Sequence, residues 1–333
     1  MRKVTLLYIL FLILFSTSLF AGGAGEGSVD TINTIPEIPQ ITLQPGEKLQ
    51  LIASTTIIGD VLSQVAGDAA DIKVLMIPGQ NPHSFEPVPG NLRSIEEADL
   101  IFVNGLGLEE NLLDDIQAAA TGYIVPVSSG LTLLDFAGDT DHDESEETHK
   151  HENGDPHVWM DPNNVIHWVR NMADVLSSAD PKHADVYWEN GESYIAELTA
   201  MDAYIKEQIK LLPEENRTLI LDHQLFNYFA DEYGFTIIGA LIPGTTDNAE
   251  PSPRAVAGLV KLIQEYHVPV LFVGRTASDG LQKLAETVIA EAGTDVIILP
   301  TLTGSLAPPG ERGDTYLDFL RFNIEQIIKG LGE

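Results

Sequence analysis

Three histidines stand in segments where they could take a transition metal. His83 lies in Gln80-Asn81-Pro82-His83-Ser84-Phe85-Glu86-Pro87, and His157 in Gly154-Asp155-Pro156-His157-Val158-Trp159-Met160-Asp161-Pro162. His223 lies in Leu219-Ile220-Leu221-Asp222-His223-Gln224-Leu225-Phe226. The chain has no cysteine, so imidazole is its best remaining ligand for such an ion. Neutral imidazole suits zinc, copper, nickel and iron, whereas manganese prefers oxygen. No short motif such as His-Glu-x-x-His joins residues so far apart, so the three must converge in space, between two lobes. Pro82 and Pro156 stiffen the backbone just before two of them. Binding requires deprotonated imidazole, so affinity is expected to fall below about pH 6.

The other six histidines read differently. His183 and His267 are expected on the surface, and His167, beside Trp168, in a packing role. His142, His149 and His151 fall in an acidic stretch, residues 138–155, with no core-forming neighbours. Such a loop is solvated and suits weak, exchangeable zinc collection rather than a rigid site.

The elements that must position these residues follow from hydrophobic rhythm. The 333 residues, 44% hydrophobic and 20% charged, suffice for two globular domains with real cores. Fifty acidic against 18 basic residues give a formal charge of −32. That excludes a nucleic-acid partner, because nothing neutralises phosphates, and it disfavours anionic lipid headgroups. It favours solubility and local attraction of cations.

Arg2 and Lys3 precede an apolar run from Val4 to Phe15, and small residues follow at Ala21, Gly22, Gly23 and Ala24. That order reads as a secretory signal over residues 1–24; the run is short for a membrane span, and an uncleaved anchor helix is the alternative. Without cysteine there is neither a lipid-bearing thiol nor a disulfide, so release into a periplasm-like space is expected. Residues 25–47 read as a flexible leader.

From Leu49 short apolar runs alternate with helical patterns, which predicts parallel sheets covered on both faces. Strands are expected over 49–54, 72–77 and 100–103, and helices over 56–65, 94–98 and 163–177. Asp180-Pro181 is an N-cap with proline at the first helical position. Apolar residues at helical spacing then predict one helix to about Leu212, roughly 45 Å long. Beyond Pro213, strands are expected over 219–221, 236–240, 270–273 and 296–299, with helices over 226–233, 253–266, 280–292 and 314–329. The expected organisation is an N-terminal α/β lobe at 48–180, a linking helix at 181–212 and a C-terminal α/β lobe at 213–333. Ligands collect in the crevice at strand ends of such sheets.

These motifs carry a resemblance. Pro82-His83-Ser84-Phe85-Glu86-Pro87 with Glu97-Ala98-Asp99-Leu100-Ile101-Phe102-Val103-Asn104-Gly105-Leu106-Gly107-Leu108-Glu109 resembles the first-lobe signature of zinc/manganese solute-binding proteins of ABC transporters. Asp155 to Pro162 and Asp222 to Phe229 resemble the second and third signatures, and Glu250-Pro251-Ser252-Pro253, Thr315-Tyr316-Leu317 and Asn323 complete the match. The resemblance spans about residues 48–330. It implies two α/β lobes joined by a long rigid helix, a metal held between them by His83, His157 and His223, and a permease partner in the membrane. A histidine at the third position and an acidic, histidine-containing loop are similar to the zinc group, so Zn2+ is expected ahead of Mn2+. Two departures stand out. Where the family often has a glutamate, this chain has Gly274-Arg275; where it often supplies an aspartate ligand, Thr301-Leu302-Thr303-Gly304-Ser305 has no carboxylate. Water, Glu86 or a carboxylate elsewhere in the chain could complete the shell.

Three imidazoles with an open position are also the layout of a catalytic zinc site, which would need a general base; Glu86 is the nearby carboxylate. A zinc hydrolase and a secreted zinc buffer or adhesin are therefore the competing readings. The expected function is capture of zinc by a monomeric, non-enzymatic binding protein and delivery to an ABC importer.

Overall fold

The computed structural model describes residues 33–134, 154–242, 252–293 and 295–332. The signal segment and His142, His149 and His151 lie outside them.

The first half is built on four parallel strands: β1 (Leu49–Ala53), β2 (Ala70–Val74), β3 (Leu100–Val103) and β4 (Tyr123–Pro126), in the order β2-β1-β3-β4. Side chains alternate across a sheet. Leu49, Leu51, Ala53, Leu100, Phe102 and Val125 accordingly enter one cluster, while Ile52, Ile101 and Val103 enter another. The outer cluster is covered by α2 (Pro89–Glu96) and α3 (Glu110–Ala119), through Ile95, Leu112 and Ile116. The inner one is covered by α1 (Thr56–Ala66) and α4 (Pro162–Ala179).

The second half repeats the device with β5 (Thr218–Leu221), α6 (Asn227–Tyr233), β6 (Thr236–Ala240), α7 (Pro253–Tyr266), β7 (Val270–Gly274), α8 (Asp279–Ala292), β8 (Ile297–Thr301) and α9 (Tyr316–Leu331). β5 pairs in parallel with β6, and β7 with β8. Leu219, Leu221, Val270 and Phe272 face the same inner cluster as the first sheet, while Ile220, Leu271 and Val273 face an outer one under α7 and α8. The protein is thus two α/β lobes whose inward faces share one apolar cluster. Through that cluster runs α5 (Ala184–Ile209), which buries Tyr187, Tyr194, Leu198, Met201, Ile205 and Ile209. Each fully buried large apolar side chain contributes roughly 1.5–3 kcal/mol. The 26 residues of α5 span about 39 Å.

The elements differ from expectation in places with physical causes. The long helix is shorter than the pattern predicts: Pro181–His183 form a 3-10 turn first, and α5 ends at Ile209. α2 begins at Pro89, not Ser94, because proline suits the first helical position and Asn91 Oδ1 accepts the Val88 N–H at 2.9 Å. β2 begins at Ala70 because Ala70 and Asp71 already pair with Leu49 and Gln50. α3 and β4 have no counterpart in the sequence reading. Among the described residues, no helix is long and apolar enough to cross a membrane.

The segment between β8 and α9 returns to the first lobe. Leu306 N donates to Thr56 Oγ1 at 2.9 Å, Gly79 N to Ser305 Oγ at 2.8 Å, and Tyr316 N to Asp60 Oδ2 at 2.9 Å. Trp159 Nε1 donates to Thr303 O at 2.9 Å, and Tyr316 OH to Trp159 O at 2.7 Å. These bonds fix the two lobes against each other around the loops that carry the histidines.

Candidate metal centre

All three histidines are set by the same local device: an Asx side-chain oxygen holds the histidine's own backbone N–H. Asn81 Oδ1 accepts from His83 N at 2.9 Å, Asp155 Oδ1 from His157 N at 3.0 Å, and Asp222 Oδ1 from His223 N at 2.8 Å. His83 lies on the 3-10 turn Pro82–Ser84 between β2 and α2. His157 leads into a second such turn, Val158–Met160, just before α4. His223 follows β5 by two residues, at the carboxyl end of its strand, where ligands collect in parallel sheets. His157 and His223 are 2% and 5% exposed, and His83 is half-buried.

The rings converge from three separate loops. His83 Nε2 stands 3.0 Å from His157 Nε2, with centroids 5.2 Å apart. The His157 and His223 centroids are 6.1 Å apart. Two imidazoles sharing a tetrahedral zinc have nitrogens about 3.3 Å and centroids about 5.2 Å apart. The first pair therefore matches in ring placement and is closer by about 0.3 Å in its nitrogens, a hydrogen-bond distance. The second pair is wider by about 1 Å. As placed, no group of three His, Asp or Glu side chains among the described residues is drawn in tightly enough to hold an ion. A shared ion requires His83 and His157 to part slightly and His223 to draw inward.

The carboxylate behind the His157 ring decides its tautomer. Asp155 Oδ1 lies 2.7 Å from His157 Nδ1. Burial alone would raise the Asp155 carboxyl. Electrostatic attraction to the His157 ring and hydrogen bonds from that ring, its amide and Asn227 outweigh it, leaving the group below the usual carboxylate range. An ionised Asp155 accepts from Nδ1–H, which leaves the His157 Nε2 lone pair directed into the cleft. His83 Nε2 then donates to it, so an ion binding at both rings displaces that proton. Behind the third ring, Asp222 Oδ1 stands 3.0 Å from His223 Nδ1, and Asp222 Oδ2 accepts from Gly274 N at 2.6 Å.

Further back, Asn104 joins the first sheet to the His157 loop, its Nδ2 donating to Pro156 O at 3.1 Å. Glu109 holds that turn: Oε1 takes Ser54 Oγ at 2.7 Å and Asn104 N at 2.6 Å, and Oε2 takes Gly105 N at 3.2 Å. Burial raises the Glu109 carboxyl despite these bonds.

The structure does not bring Glu86 into this group. Glu86 is exposed and lines a separate pocket with Ser84, Pro87, Asn111 and Asp115, which none of the three histidines lines. His167 is structural, Nε2 lying 2.7 Å from Ser129 O, and His183 pairs with Asp180. The two family departures are tightly packed: a Cβ on Gly274 would stand 2.9 Å from Asp222 Oδ2, and one on Gly304 would stand 2.9 Å from Pro82 Cδ. Asp155, Asp222 and Asn227 were not singled out from the sequence. The signal for the two aspartates was their spacing, one or two residues before a histidine.

A family model described as zinc-uptake complex component A, periplasmic, matches residues 51–330. The manganese-binding lipoprotein MntA of Halalkalibacterium halodurans is 29% identical over 333 residues, the whole of both chains. The manganese ABC transporter substrate-binding lipoprotein PsaA of Streptococcus mitis is 28% identical over the whole of both chains. Among solved structures, the periplasmic zinc-binding protein TroA of Treponema pallidum superposes with a TM-score of 0.74 at 25% identity, over 86% of this chain and 100% of its own. The Mn-bound periplasmic metal-binding protein of Candidatus Liberibacter asiaticus gives 0.73 at 25% identity over the same shares. With its two lobes, its long helix and a family model covering most of its length, this chain belongs to the zinc-uptake complex component A family.

Proposed function

We propose that the chain captures a divalent transition metal, zinc ahead of manganese, through His83, His157 and His223, and passes it to the permease of an ABC importer. The family's members are substrate-binding components of metal transporters rather than enzymes. The single observation that carries the ligand assignment is the convergence of three imidazoles from three loops, with ring centroids 5.2 and 6.1 Å apart. The lobes at 48–180 and 213–333 supply two ligands and one. A nitrogen set of this kind supports zinc. The exposed outer position of Glu86 leaves the rival hydrolase without its base.

Manganese is the second reading, because relatives over the whole chain bear manganese in their names. Those relatives are also named lipoproteins; this sequence has no cysteine to carry a thioether-linked lipid. We place the mature chain, after removal of residues 1–24, in a periplasm-like space.

Metal analysis of chain purified without chelators, followed by zinc–manganese competition, tests the reading. One zinc per chain, retained against a hundredfold excess of manganese, is expected. Preferential retention of manganese overturns the choice of metal, and failure to bind either ion overturns the function.

A further inference from the structure

We infer that Asn227 of the second lobe is a positioning residue for His157 of the first, acting through the carboxylate of Asp155. The inference rests on the reading of His157 as a metal ligand. Asn227 is the first residue of α6, four residues beyond His223. Its Nδ2 donates to Asp155 Oδ2 at 2.8 Å. The other oxygen of that carboxylate takes both His157 N at 3.0 Å and Nδ1 at 2.7 Å. Next along the helix, Tyr228 OH donates to Asp155 O at 2.8 Å.

Asp155 is 0% exposed and His157 2%. A carboxylate out of reach of solvent takes its orientation from its protein donors, and these come from both lobes. The Asn227 amide fixes the rotation of the carboxylate about its Cβ–Cγ bond, so Oδ1 faces the ring. The ring is thereby held as the Nδ1–H tautomer with its Nε2 lone pair toward the cleft. His223 and Asn227 share one short segment. Withdrawing that segment removes a ligand and releases the neighbouring ligand's restraint in one movement, so lobe separation weakens the ion's hold at two histidines, not one.

The test uses Asn227→Ala and the similarly sized, uncharged Asn227→Leu, which removes the donor without removing volume or adding charge and reads the same bond if the alanine variant fails to fold. Outer-shell partners of ligating histidines are worth about 10- to 100-fold in metal affinity, and a loss of that size is expected by zinc titration. Asp155→Asn should cost a similar factor, and combining it with Asn227→Ala should add less than threefold. Long-range 1H–15N NMR of the imidazoles should show one Nδ1–H tautomer for His157 in the wild type and a mixture in Asn227→Ala. Wild-type affinity with an unchanged His157 spectrum in the Asn227 variants, or fully additive losses, overturns the positioning role. Undiminished zinc binding by His157→Ala would instead remove the ligand reading beneath it.

Discussion

His157 and His83 face each other across 3.0 Å, yet they are supported in opposite ways. His157 is buried, its backbone and ring both held by Asp155, which is in turn held from the second lobe. His83 is half-buried on a single 3-10 turn, its amide held by the neutral Asn81 and its carbonyl taken by Asn111 Nδ2. A carboxylate behind an imidazole fixes its tautomer and raises its basicity, whereas an amide on the backbone fixes only where the residue sits. On the proposed ligand set, His157 is the preset ring and His83 the one that adapts, so an ion would meet His157 ready and recruit His83.

If so, removing the two rings has unequal cost. His157→Ala should weaken zinc by about a thousandfold and His83→Ala by about a hundredfold, roughly one step of 1.4 kcal/mol apart; equal losses by competition titration break the comparison. Asp222→Asn tests whether the third histidine resembles His157. The new amide cannot accept from both His223 N and Gly274 N with the same oxygens, and about a tenfold loss of affinity is expected.

A smaller effect, on stability, comes from the far end of the His157 segment. Asp161 caps α4 through Asn163 N at 2.8 Å. Burial, then repulsion from Glu232 and Asp202, outweighs the Asn163 hydrogen bonds and pushes its carboxyl up to about 6. A raised carboxylate favours the protonated form in the fold, so stability contributed near pH 4 is lost as pH rises to about 6. Asp161→Asn keeps a good N-cap and should flatten that decline, gaining at most about 3 kcal/mol at pH 7 by denaturant unfolding. Stability that rises between pH 4 and 6 in the wild type and is unaltered in the variant contradicts this. The smallest effect is expected from deleting residues 139–152: the tight zinc is retained, and weaker additional binding alone is lost.

Much of this was legible in the chain because the signals are local. The two-residue alternation of Leu49, Leu51 and Ala53 against Ile52, the Ser252 cap of α7 and the Asx-Pro-His runs each act within a few residues. The three histidines were legible for the same reason: a proline or a strand end fixes each one. α3 escaped notice because its start depends on a Gly105-Leu106-Gly107 turn in which Leu106 itself takes φ 58°, held by Glu109 from within the helix's own cap. The role of Asn227 escaped for a different reason: its partner, Asp155, is 72 residues away and meets it across the cleft. A tie of that kind has no spacing that a single sequence displays. The helix overestimate at Pro181 and Leu212 has the reverse cause, since amphipathic periodicity continues through turns that backbone geometry ends.

In the proposed site, ligands from both lobes close on one ion, and His223 is the one that the second lobe contributes. Calorimetric zinc titration of His223→Ala beside the wild type tests it most directly. One tight zinc per wild-type chain is expected, with at least a hundredfold weaker binding in the variant and the fold intact by circular dichroism. Tight zinc binding of unchanged stoichiometry and affinity in His223→Ala would contradict it.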